Sequence, residues 1–162
     1  MDVPAVPAHV PALGHHERTE VEAQLQTTLL ELVDLALVGK QLHWSVTGAH
    51  FRSLHLQLDD LVRSWRELAD LVAERCVAIG SWPDGQASAL AAATGFSPLE
   101  RGAIEDKAVI RELSGRLADV AERVRTRTDR LGRLDVASQD VLTTVLREVE
   151  RQLWMVRAQH PQ

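Results

Sequence analysis

Tyrosine is absent from this 162-residue sequence, phenylalanine occurs twice and tryptophan four times. Strands favour aromatic and β-branched side chains, so a chain with 4% aromatics that is rich in Leu, Ala, Glu and Arg leans helical. The single cysteine, Cys76, excludes an internal disulfide and fits a reducing compartment. No apolar run approaches the roughly 20 residues of a membrane helix. The opening MDVPAVPAHVPALGHH has neither the basic start nor the unbroken apolar stretch of a secretion signal, which makes a cytoplasmic location the expectation. A formal charge of −5 argues against broad attraction to nucleic acid or anionic lipid, though not against cations. The length suits one domain with a real core.

What is present is helical periodicity. Residues 1–17 carry Pro4, Pro7 and Pro11 with little to pack, and read as a flexible tail. Thr19 and Glu22 have capping-box spacing, which predicts a helix start there. Val21, Leu25, Leu29, Leu32 and Ala36 carry that helix to about Val46, and Thr47-Gly48 supplies a turn. In the second helix Phe51, Leu54, Leu58, Leu61, Trp65, Leu68 and Val72 form a core seam that fades near Gly80. Pro83, Gly85, Gly95 and Pro98 bracket a long connection in which QASALAAA predicts a short helix. A third helix begins between Ser97 and Glu105, with a seam from Ile110 to Leu131. A fourth is capped by Asp135 and runs through Leu142, Val145, Val149, Leu153 and Val156. No strand pattern or nucleotide-binding glycine motif occurs. The expectation is an all-α four-helix bundle over 18–158 with one long crossover, followed by a short tail at 159–162.

On the second helix, His55 and Asp59 are four apart, and so are Asp70 and Glu74. At about 100° per residue, Asp59, Asp70 and Glu74 lie about 40°, 60° and 100° from His55, on one stripe. A hairpin turning near residue 48 brings His43 level with the start of that helix. Asp70 and Glu74 stand roughly 16 Å farther along, too far for one metal ion. They become useful if two copies of the helix lie antiparallel across a two-fold axis, which makes two equal shared sites. Imidazole and carboxylate without thiolate suit Fe(II), and also Mn(II), Co(II) or Zn(II). The plain alternative is a solvated charged face.

The stretch KQLHWSVTGAHFRSLHLQLDD, with His43-Trp44, Gly48, Phe51, Leu54-His55 and Asp59, then Asp70 and Ala73-Glu74-Arg75, resembles the Dps (DNA-protection-during-starvation) family of miniferritins. The likeness runs from about residue 20 to 157, including Leu153-Trp154. It implies a ferritin-like four-helix bundle whose long crossover contains a short helix, assembled as a homo-oligomer, a dodecameric cage. It implies ferroxidase centres at the two-folds, built from His43, His55 and Asp59 of one chain and Asp70 and Glu74 of its partner, with Trp44 beside them. Fe(II) would be oxidised by hydrogen peroxide or dioxygen and stored inside as ferric mineral, protecting against oxidative damage. Trp44 and Trp154 would intercept radicals near the centre, or simply pack.

Other features bear on partners. Asp135 and Asp140, and more weakly Asp129, match the acids that line iron-access pores in such cages, or serve as caps and surface charges. Residues 1–17 contain no Lys or Arg, only Asp2, Glu17, His9, His15 and His16 as charged or titratable groups, which argues against DNA binding through the tail. The rival expectation is a nucleoid-associated, DNA-compacting protein in which iron chemistry is secondary. The Arg-rich third helix reads as solvated or salt-bridged. An oxygenase with its di-iron centre inside one bundle would need Glu-x-x-His pairs, and none occurs. Cys76 reads as a buried thiol.

Overall fold

The computed structural model describes residues 13–93 and 97–159. The chain is all-α in its layers: α1 (His15–Ser45), α2 (Phe51–Ala78), the short α3 (Ala87–Ala93), α4 (Asp106–Leu131) and α5 (Val136–Arg157). The long helices pair mainly as α1 with α2 and α4 with α5. Two short strands, β1 (Val46–Thr47) and β2 (Ile104–Glu105), pair in parallel and join the α1–α2 turn to the start of α4. The crossover therefore returns the chain to the end where α2 began, and α2 and α4 run parallel. This strand pair has no periodic signal, because two residues cannot show an alternation.

The seam residues expected from spacing are buried in one core, from Val21, Leu25 and Leu32 on α1 to Leu142, Val145 and Val149 on α5. Leu153 is only partly buried, and Phe51 departs furthest. It remains 46% exposed, its ring tilted against His55 at 5.1 Å. The start of α1 also differs from expectation. The helix begins at His15 with Gly14 as N-cap, so His15, His16 and Glu17 belong to its first turn; His9 and residues 1–12 lie outside the described residues. Thr19 Oγ1 donates to the His15 carbonyl, and the Glu22 carboxylate accepts from Ser81 Oγ at 2.8 Å. The capping-box partners are thus spent on the helix interior and on the crossover.

Trp65 is fully buried, and Gly39 of α1 is what admits it: a Cβ there would fall 2.6 Å from the indole and 2.7 Å from Val62. Its Nε1 donates to Gln152 Oε1 at 2.7 Å, satisfying the indole's polar group inside the core. The arginines of α4 are largely salt-bridged. Arg127 and Arg123 both bind the mostly buried Glu31 of α1, and Arg125 pairs with Glu150. Arg127 grips Glu31 through both terminal nitrogens, at 2.6 and 2.9 Å, the fork geometry that best repays the desolvation of a buried pair.

Candidate metal centre

The α1–α2 turn sets the last turn of one helix against the first turn of the next. His43 Nδ1 lies 2.8 Å from the His55 carbonyl, and His55 Nδ1 lies 3.0 Å from the His43 carbonyl. A carbonyl only accepts, so each Nδ1 carries the proton and donates it to the other residue's backbone. In the neutral ring Nε2 then holds the lone pair, the tautomer a divalent metal needs. The two rings stack with centroids 3.6 Å apart and 23° between planes. His43 is buried and His55 half-buried, so neither ring is free to turn.

Asp59 joins them. Its Oδ1 is 3.4 Å from His43 Nδ1 and 2.7 Å from Lys40 Nζ. The Lys40 ammonium, by its hydrogen bond, holds the Asp59 carboxyl below the usual carboxylate range. Lys40 is a participant that motif reading passed over. Its signal was nonetheless present, since the hairpin register that sets His43 against His55 also sets Lys40 against Asp59. The same ammonium sits 5.8 Å from the ring centre of Trp44, which is 70% exposed.

Asp70 and Glu74, farther along α2, are exposed and do not gather with the histidines. Among the described residues, no three His, Cys, Asp or Glu side chains of this chain are placed to hold a metal ion together. Trp154 is 68% exposed on α5, so neither indole is packed within its own subunit.

The acids singled out near the fourth long helix divide. Asp135 caps α5: its carboxylate accepts from the Ser138 N–H at 3.1 Å and pairs with Arg75 Nη2 at 2.6 Å. Burial works against its ionisation, and the hydrogen bonds from Ser138 and Arg75 overcome it, holding the carboxyl below its ordinary value. Its cap role is met. Asp129 and Asp140 are exposed. Cys76 is buried, and burial, with the nearby Glu22 charge, pushes its thiol up to about 11. It is a thiol without thiolate character at neutral pH. Among the described residues, no helix is long and apolar enough to cross a membrane.

The ferritin-like domain family matches residues 22–161. The DNA protection during starvation protein of Mycolicibacterium smegmatis is 32% identical, over 92% of this chain and 81% of that relative. The chain belongs to the Dps miniferritin family. That places it in the iron-storage and DNA-protection group of ferritin-like proteins. It is also 32% identical to DNA protection during starvation protein 2 of Deinococcus radiodurans, over 92% of this chain; it spans 62% of that relative's length. The solved structure of Dps from Microbacterium arborescens in the high iron form superposes with a TM-score of 0.88 at 26% identity, covering 95% of this chain and all of that one. This Dps fold is the ferritin-like bundle with its short crossover helix.

Proposed function

We propose that this chain is one subunit of an iron-oxidising and iron-storing cage, with each ferroxidase centre completed by a second copy. His43, His55 and Asp59 come from one subunit, and Asp70 and Glu74 from an antiparallel partner across a two-fold axis. The observation that carries this reading is the crossed pair of histidine–carbonyl hydrogen bonds, which fixes both imidazoles in the metal-binding tautomer before any metal arrives. The chain's own carboxylate, Asp59, lies beside them, while two further acids stand exposed on the same helix where only another molecule can use them.

The chemistry follows from the donors. Nitrogen and carboxylate oxygen bind Fe(II) and gain strongly when it becomes Fe(III), so oxidation is favoured at the site. Two Fe(II) ions give one electron each to hydrogen peroxide. The O–O bond breaks, two hydroxides leave as water after taking up protons, and the ferric ions hydrolyse to oxide inside the cage. Dioxygen is the slower alternative oxidant. Trp44, exposed beside Lys40, would surrender an electron to any radical that escapes, a role its exposure supports. The family's dodecamer gives the enclosing shell. The net charge of −5 and the tail without Lys or Arg favour cations over DNA as the partner.

The test is anaerobic loading with Fe(II) followed by peroxide, reading ferric absorbance and particle mass. The expected result is two irons oxidised per peroxide and a rise in mass. A stable monomer that oxidises iron at full rate sinks the proposal.

A further inference from the structure

Asp106 is the first residue of α4, yet its buried carboxylate is turned back onto the α1–α2 turn. Oδ2 accepts the His50 backbone N–H at 2.8 Å and His50 Nδ1 at 3.1 Å, and Oδ1 accepts the Lys107 N–H at 2.8 Å. His50 is the residue on which α2 starts, and its own side chain is 68% exposed. Gly48, at φ +118°, leaves the room the carboxylate occupies: a Cβ there would lie 2.8 Å from it. Thr47 Oγ1 donates to the Ile104 carbonyl at 3.3 Å, and β1–β2 pairing closes the same junction. One residue beyond His50, the Phe51 ring leans on His55, whose ring also stacks on His43.

We infer that Asp106 is a positioning residue for the histidine pair: by fixing His50, the N-cap of α2, to α4, it sets the register in which His43 and His55 exchange hydrogen bonds. The inference rests on that pair being the metal-binding half of the proposed centre. A side chain from beyond the crossover therefore tunes a site to which it contributes no ligand. Outer-shell groups that orient ligands change metal affinity by roughly 10–100-fold when removed. Asp106 acts one step farther out, through backbone, so its effect belongs at the lower end.

The test uses assembled full-length protein and Co(II), a redox-stable probe with a geometry-sensitive visible spectrum. Asp106→Ala should lower Co(II) affinity about 10-fold and alter the band shape, with helix content retained. Asp106→Asn, which keeps an oxygen for the His50 N–H, should recover most of both. If Asp106→Ala fails to assemble, His50→Ala, which removes only the ring contact with the Asp106 carboxylate, carries the test. It should show the same spectral change, more weakly. Wild-type affinity and band shape in the variants that assemble overturn the inference. His55→Ala is the separate control: if it binds Co(II) like wild type, the proposed centre itself is wrong.

Discussion

The two ends of the acidic and histidine stripe on α2 are built differently. At the turn end, His43, His55 and Asp59 are held by the backbone, by one another and by Lys40. At the far end, Asp70 and Glu74 stand exposed on the helix surface. Groups held before a ligand arrives lower the ordering cost of binding it. Groups left in water keep that cost for a later event, in the proposed centre the arrival of a second subunit. The contrast is what a shared site requires: a rigid half that chooses the metal and a solvated half that detects the partner.

The largest effect that would break this contrast is loss of a rigid ligand. His55→Ala should abolish saturable Co(II) binding and iron oxidation, because it removes one lone pair and the ring that stacks on His43. Mixed refolding with Asp70→Ala subunits should restore activity, since one of the two sites in each mixed pair is whole. No recovery argues that the ligands are not divided between chains. Next, Glu74→Ala should oxidise iron poorly yet leave subunit stability within about 0.5 kcal/mol, the usual range for an exposed change. A large drop in thermal midpoint would show Glu74 to be structural.

An acid titration should report on the carboxylates that are held by hydrogen bonds. Asp59, Asp106 and Asp135 have folded-state values below the ordinary Asp value of about 3.9. Groups shifted that way contribute stability that is complete above the unfolded value and is lost as pH falls through the folded one. Circular dichroism should therefore stay flat down to about pH 4 and fall below it, with Asp135→Asn flattening the fall. The smallest effect belongs to Lys40. Replacing it with Met should strengthen dication binding a few-fold by removing the cation that already occupies Asp59, and should change Trp44 fluorescence. Unchanged Co(II) titrations would count against that competition.

Most of the bundle was legible because burial imposes a 3.6-residue period on long helices, and the seams from Leu54 to Val72 and from Ile110 to Leu131 carry it. Asp135 was legible as a cap from local spacing. The start of α1 was not, because Glu22 is taken by Ser81, 59 residues away, and no local rule contains that contact. Of the candidate site, the grouping of His43, His55 and Asp59 follows from spacing and hairpin register. The groups that hold it do not, since a backbone carbonyl is common to every residue and Asp106 reaches His50 across 56 residues. Phe51 matched the period but sits where α2 emerges from its turn, and there the His55 ring competes with the core for it.

The parallel β1–β2 pairing has a consequence for the order of folding. The α1–α2 hairpin is local and can zip early, but its turn is clamped only after the crossover has wrapped round and α4 has begun. Closing so long a loop carries an entropic cost that local helix pairing does not. A nascent chain thus displays its two imidazoles loosely while it is incomplete and tightens them last. On the proposed function, ferrous ions meeting a half-made subunit would find no finished place to react.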